Sequence, residues 1–190
     1  MTKYLTISII LLLVSITGCY LPLGGKVIDA ESGQPIEGAV VVAQWHESHG
    51  LPGMVYHTLY KIAEASTDNN GKFLLPGAYS PFANIPDLLI YKRGYVVWNR
   101  DLVLIFKKKQ DGTIESTFMG KRADYDSWEH GYLYKLEPFK EGYSHDKNSR
   151  LMCCFDSSTK ETPMFKEAET YENKAAEPER ELIRHQFYEK

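Results

Sequence analysis

The chain has 190 residues, of which 43% are hydrophobic and 25% are charged, and its formal net charge is -3. This length suits one domain with appendages, because domains usually run to about 100–200 residues. The near-neutral balance gives no reason to predict a nucleic-acid or an anionic-lipid partner, and we expect no nucleic-acid partner.

The first 18 residues have the pattern of an export signal. Lys3 is followed by an apolar run from Leu5 to Ile16. This run is shorter than the roughly 20 residues that a membrane-spanning helix needs, but it suits the apolar region of a signal peptide. It ends at "ITGC", residues 16–19, which resembles the lipobox of bacterial lipoproteins. The alternative is an uncleaved N-terminal anchor with an incidental cysteine.

The lipobox resemblance implies cleavage before Cys19, acylation of that cysteine by chains such as palmitate, and a lipidated tether over residues 19–23. Several acyl chains anchor firmly, whereas a single chain binds only marginally. Tyr20, and not Asp, follows the cysteine, which implies sorting to the outer membrane in a Gram-negative host. We therefore expect a cell-envelope protein that meets the membrane through an N-terminal lipid anchor.

Residues 24–140 predict short strands separated by turns. The run "AVVVAQW", Ala39 to Trp45, is typical of a strand with both edges paired and most of its surface covered. Turn signals at Asn70-Gly71, Lys92 to Gly94 and Asp111-Gly112 predict successive hairpins, and Gly131 to Phe139 predicts a last strand. About seven to eight strands without intervening helix indicate an antiparallel β-sandwich.

Residues 141–190 form a charged extension that is expected to be partly helical. Thr162-Pro163 suits a helix start, and Pro178 would kink the helix or begin a second one. Leu182, Ile183 and Phe187 give the last segment a narrow apolar edge. We expect a short helix laid on the sandwich.

Cys153 and Cys154 are adjacent. Neighbouring Cα atoms lie about 3.8 Å apart, below the separation of ordinary disulfides. A strained vicinal bridge, metal binding, an intermolecular bridge and two free buried thiols all stay open.

Two sequence motifs within residues 24–140 resemble those of a known family. Residues 25–41, with Gly25, Val27, Asp29, Ser32-Gly33, Pro35-Ile36 and Gly38-Ala39, resemble the start of carboxypeptidase regulatory-like domains. Thr67-Asp68-x-x-Gly71-x-Phe73-x-Leu75-Pro76 is similar to the second signature of that family, and "IYKRGY" to a third. The resemblance covers about residues 24–106.

The resemblance implies a transthyretin-like (prealbumin-like) sandwich that serves as an accessory module. It gives Gly33, Pro35, Gly38, Asp68 and Gly71 structural roles in turns and at a close backbone approach. Asp29 and Asp68 would bond turn amides, and Val27, Val41 and Phe73 would face the core.

The sequence contains none of the common catalytic motifs, so we expect that the protein is not an enzyme. Lys26 is followed by Val27, which breaks a P-loop, and neither H-E-x-x-H nor G-x-S-x-G occurs. "GYSHD", residues 142–146, places Ser, His and Asp in a row, but a triad is defined by spatial roles. An enzyme with a site assembled from scattered loop residues stays an alternative.

Residues 46–56 are expected to be a long loop inserted after the second strand. His46, His49 and His57 are weak candidates for a Zn or Cu site, since imidazole suits both metals; the alternative is a solvated loop. Asp124, Asp126 and Glu129 give a weaker calcium hypothesis. Exposed aromatics could instead stack on carbohydrate; those in this half of the chain are Trp45, Tyr56, Tyr60, Tyr91, Tyr95 and Trp98.

Taken together, the sequence predicts a membrane-anchored envelope lipoprotein whose β-sandwich is a non-catalytic binding or scaffolding module with an envelope protein partner. A metal- or carbohydrate-binding protein is the alternative.

Overall fold

The computed structural model describes residues 22–78, 80, 84–120, 133–157 and 160–188. The fold is mainly β, with 42% strand and 20% helix, which confirms that part of the predicted class. The strands in these ranges are β1 Leu23–Asp29, β2 Val40–Leu51, β3 Met54–Ser66, β4 Lys72–Leu75, β5 Asp87–Tyr91, β6 Trp98–Asn99, β7 Val103–Lys108, β8 Ile114–Met119 and β9 Leu133–Leu136. The helices are α1 His145–Arg150 and α2 Pro163–Tyr188.

The strands form three sheets with the orders β3-β2-β5-β6, β4-β1-β9 and β7-β8. Every pairing is antiparallel except that of β1 with β9, which is parallel. The prediction of a purely antiparallel sandwich is therefore wrong at this pair. Because a long stretch of chain separates β1 from β9, no tight hairpin imposes the antiparallel direction on them.

Strand β2 lies at the centre of the fold, paired with β3 on one edge and β5 on the other. Its side chains alternate between two hydrophobic clusters, as expected for a pleated strand. Val41, Ala43 and Trp45 face a cluster shared with the β4-β1-β9 sheet, while Val42 faces a second cluster on the opposite side. The prediction of a strand with paired edges and covered faces is confirmed.

The second cluster adds a third layer, which is more extensive than the short helix that the sequence predicted on the sandwich. Residues of the four-stranded sheet, including Val42 and Leu89, pack against Leu151, Met152 and Phe165 of the C-terminal extension. Each of these five side chains is fully buried. The extension is therefore part of the hydrophobic core.

The expectation of a short C-terminal helix is wrong, because α2 has 26 residues and contains Pro178 without ending there. Polar contacts to α1 hold the residues that follow the proline. The Glu179 carboxylate accepts hydrogen bonds from Ser144 Oγ (2.6 Å) and His145 N (2.7 Å), and Arg180 Nε donates to Asp146 Oδ1 (2.7 Å). These long-range contacts offset the hydrogen bond that proline removes from a helix.

Asp146 lies between two guanidinium groups. Burial would raise the pKa of its carboxyl, but the hydrogen bond from Arg180 and the charge of Arg150 lower that pKa below its usual value. The ionised form therefore stabilises the folded state above the unfolded-state pKa of about 3.9. This contribution is lost as the pH falls through the lower folded-state pKa.

We expect Asp146→Asn to lower the free energy of unfolding at neutral pH by about 1–3 kcal/mol, because it weakens buried hydrogen bonds to charged groups. The variant should also lose part of the acid dependence seen in urea titrations between neutral pH and about pH 3. Asp111→Asn, at an exposed carboxylate that accepts from Thr113, is the control with the smaller expected effect. An Asp146→Asn pH profile that overlays the wild type would contradict this account.

The Asn70-Gly71 hairpin was wrongly predicted, because β3 and β4 belong to different sheets. The segment between them crosses from one sheet to the other, and Gly71 alone takes a positive φ (73°) there, so the turn is not type I′. Asp68 Oδ1 accepts from the amides of Asn70 (2.9 Å) and Lys72 (2.8 Å), which closes this turn. The hairpin predicted at Asp111-Gly112 is confirmed between β7 and β8.

Candidate functional site

Beyond the sandwich, β2 and β3 continue as a two-stranded ribbon, which we define as residues 46–60. Its pairing runs from His46–Leu59 to Leu51–Met54, with Pro52-Gly53 at the turn. The register shifts between Trp45 and His46, which marks the base of the ribbon. The predicted long loop over residues 46–56 is therefore wrong, because cross-strand pairing orders this segment.

The two faces of the ribbon separate the three histidines. Residues directly opposite each other in an antiparallel pair share a face, so Ser48 and His57 lie together with His46. His49, paired with Tyr56, points to the other side. The structure does not bring the three imidazoles together, and no cluster of three metal-ligating side chains occurs within the described ranges.

Each histidine has a partner on its own face. His46 Nδ1 lies 3.2 Å from Asp87 Oδ2, and His57 Nδ1 lies 3.1 Å from Ser48 Oγ. On the opposite face, His49 Nε2 lies 2.9 Å from Thr58 Oγ1 and its ring stacks on Tyr56. The His49 and His57 contacts link the two strands of the ribbon, and the His46 contact links its base to β5.

An open depression of about 330 Å³ lies at the base of the ribbon. Its lining residues are His46, His57, Asn84, Ile85 and Asp87. Burial raises the pKa of the Asp87 carboxyl, and Asp101 reinforces the shift, while His46 and Arg100 oppose it. Two imidazoles, an amide and a carboxylate could hydrogen-bond a small polar ligand here.

The ribbon also carries a set of exposed apolar side chains. Leu51, Met54 and Tyr56 are 71%, 76% and 61% exposed, and Val55, Leu59 and Tyr60 are exposed as well. No Asp, Glu, Lys or Arg occurs from Ser48 to Tyr60. Contiguous exposed apolar side chains mark interaction sites on soluble domains. The uncharged sequence "SHGLPGMVYHTLY" was the signal that sequence reasoning missed.

The six aromatic residues considered for carbohydrate stacking fall into two groups, those packed in or against the core and those exposed to solvent. Trp45, Tyr91 and Trp98 are buried in the core, and Tyr95 packs against it while donating to Asp29 Oδ2 (3.0 Å). Of the six, only Tyr56 and Tyr60 are exposed, and both belong to the ribbon. Any aromatic contact surface among these residues is therefore the ribbon itself.

Cys153 and Cys154 are free and exposed, with their Sγ atoms 3.7 Å apart. Both thiols are exposed, so the alternative of two free buried thiols is wrong, and the separation of the Sγ atoms exceeds the S–S bond length of about 2.0 Å. Burial of its sulfur, together with the neighbouring Cys153 thiol, raises the pKa of Cys154. A raised pKa disfavours the thiolate, which is the nucleophilic and metal-binding form.

The "GYSHD" residues have structural contacts and do not form a triad with one another. Ser144 caps α1 by accepting from Lys147 N (3.2 Å), and His145 Nδ1 lies 2.9 Å from Glu172 Oε2. Glu172 also accepts from Tyr91 OH (3.1 Å). Asp146 pairs with arginines, as described above.

The residues expected to shape turns occupy the first loop and the crossover. Gly33 and Gly38 take positive φ values of 70° and 67°, and Pro35 forms an isolated bridge with Ile28. Asp29 Oδ1 accepts from the amides of Glu31 (2.8 Å) and Ser32 (2.7 Å). Cys19 and the residues of the calcium hypothesis, Asp124, Asp126 and Glu129, lie outside the described ranges.

No protein-family model matches this chain, and a search of curated proteins returns no match either. A crystal structure of a 9R-lipoxygenase from Cyanothece PCC8801 aligns with 73% of this chain at 11% identity and a TM-score of 0.24. The aligned part spans 17% of the lipoxygenase chain. A TM-score this low supports no argument about fold or activity. Within the described residues, neither helix is both long and apolar enough to cross a bilayer.

Proposed function

We propose that this protein is a membrane-anchored envelope lipoprotein whose β-sandwich acts as a non-catalytic binding or scaffolding module of the transthyretin-like type. The lipobox-like "ITGC" and the apolar run before it support the anchor. The observation that carries the binding role is exposed apolar surface on two elements, and the first is the ribbon, which presents large apolar side chains to solvent on two paired strands.

A second exposed element lies at the far end of the chain. The side chains of residues 181–186 in the last turns of α2 are exposed, including Leu182 and Ile183. Amphipathic helices bind partner grooves through such apolar side chains. Under this proposal the sandwich holds the ribbon and the helix end apart, and an envelope protein partner binds the helix end.

In-cell crosslinking followed by mass spectrometry tests this function. We expect a defined envelope protein to be recovered with the native chain and lost from the Cys19→Ala variant, because the soluble form no longer resides at the membrane. A Leu182→Asp/Ile183→Asp variant should keep the anchor and lose that partner. Recovery of the same protein from all three forms, or of none from the native chain, would contradict the proposal.

A further inference from the structure

The ribbon and the expected lipid tether leave the sandwich at the same end. Strand β1 begins at Leu23, which pairs with Leu75 at the end of β4. The next two carbonyls, of Pro76 and Gly77, accept hydrogen bonds from Lys61 Nζ at 3.5 Å and 2.6 Å. Lys61 pairs with Trp45 at the base of the ribbon. The first residue after the tether therefore lies close to the point from which the ribbon projects.

Strand directions place the ribbon beyond that end. The opposite end of the sandwich holds Val40 and Ser66, where β2 begins and β3 ends, and also the crossover to β4. β2 runs from there toward the end that holds Leu23 and continues past it. Strand β5 pairs with β2 only as far as Gln44, so the ribbon continues without β5 alongside it.

The tether is short enough, and the ribbon long enough, for the ribbon to reach the membrane surface. Cys19 precedes Leu23 by four residue steps, which reach at most about 14 Å at about 3.6 Å each. The ribbon extends six residues beyond Trp45, or about 20 Å at about 3.3 Å each. The tether is shorter than the ribbon, so the tip of the ribbon can reach the bilayer in which Cys19 is anchored.

The chemistry of the ribbon suits a lipid surface. Its turn presents Leu51 and Met54, and Tyr56 and Tyr60 supply the amphipathic rings that are favoured at the membrane–water interface. Glu47, at the base of the ribbon, accepts a hydrogen bond from Ser80 Oγ, and no acidic side chain occurs from Ser48 to Tyr60, so the outer part of the ribbon does not repel anionic head groups. A two-stranded ribbon has unpaired edges that hydrocarbon would not satisfy, so it suits the interface and not the bilayer centre.

We infer that the ribbon docks into the head-group region of the bilayer in which Cys19 is anchored. The inference rests on the proposed lipid anchor. The contact adds a second attachment point to the lipid anchor. The sandwich is then held in one orientation, and the exposed end of α2 is presented to a partner at a defined angle to the membrane.

The test uses the full chain, processed and acylated in cells and reconstituted into vesicles of phosphatidylethanolamine and phosphatidylglycerol. In a Cys153→Ser/Cys154→Ser background, Met54→Cys carries an environment-sensitive fluorophore at the ribbon turn. Asn69→Cys, at an exposed turn at the opposite end of the sandwich, is the matched control. Flotation with the vesicles reports the anchor, and fluorescence reports the ribbon.

We expect both proteins to float. Only the label at position 54 should shift its emission to shorter wavelength, and spin labels near the lipid head groups should quench it more than those near the acyl-chain ends. Flotation without that shift would overturn the ribbon contact and leave the anchor standing. A shift without quenching would mean that protein, such as a second copy, covers the ribbon, which overturns the inference. Loss of flotation would overturn the anchor and the inference together.

Discussion

Phe165→Ala is expected to lower the free energy of unfolding by about 3–5 kcal/mol, the usual cost of removing a buried aromatic ring. Phe165 is fully buried near the start of α2 and packs edge-on against Phe155, with ring centroids 6.0 Å apart. Its amide donates to Glu64 Oε2 on β3 at 2.9 Å, so the start of the helix is fixed directly to the sheet. Urea titration of the purified protein measures the effect.

Leu182→Ala is the matched control on the same helix. Leu182 is 62% exposed, so its truncation should change stability by no more than about 0.5 kcal/mol. If Phe165→Ala were as mild as Leu182→Ala, the C-terminal helix would be an appendage, and the three-layer core described above would be incorrect.

Gly71→Ala is expected to destabilise the fold by about 2–5 kcal/mol. Gly71 has a φ of 73°, which costs an alanine about 1–2 kcal/mol. A Cβ there would also lie 2.3 Å from the carbonyl oxygen of Val27, and relieving such overpacking costs a further 1–3 kcal/mol or so. The crossover between the two sheets passes directly over β1 at this point, since Val27 N donates to Gly71 O at 2.8 Å.

Gly112→Ala separates the backbone cost from the packing cost. Gly112 has a φ of 85°, but no atom lies within 4 Å of the position its Cβ would take. We expect a loss of only about 1–2 kcal/mol from the same denaturation measurement. Equal losses in the two variants would show that the crossover does not press against β1.

The sequence predicted best where local pattern and tertiary environment agree. The run of β-forming residues in β2, apolar except for Gln44, indicated a strand covered on both faces, and both faces are covered. Asp111-Gly112 indicated a hairpin, and β7 and β8 form one. In each case the residues that carry the signal also make the contacts that stabilise the element.

The predictions from sequence failed where contacts between residues far apart in the sequence determine the structure. Pro178 would end an isolated helix, yet Glu179 and Arg180 are held by the residues at the start of α1. Asn70-Gly71 has hairpin chemistry, yet β4 pairs with β1 and not with β3. The parallel pairing of β9 likewise depends on a neighbour far away in sequence.

The candidate site was located by sequence but given the wrong form. Residues 46–56 were predicted to be a long loop, with a metal site at His46, His49 and His57 as a weak hypothesis beside a solvated loop. Strand pairing instead extends through the segment and sends His49 to the face opposite His46 and His57. The alternation of faces is visible only when the register is known. The absence of charged residues from Ser48 to Tyr60 could have indicated an apolar segment, but not that it is paired and exposed.

The lipid anchor is the central claim, and mass spectrometry of the N-terminal peptide from isolated cell membranes tests it most directly. We predict that the mature chain begins at Cys19 and that this residue carries acyl chains, while the Cys19→Ala variant is absent from the membrane fraction. A chain that begins at Met1, or an unmodified Cys19 in the soluble fraction, would contradict the account.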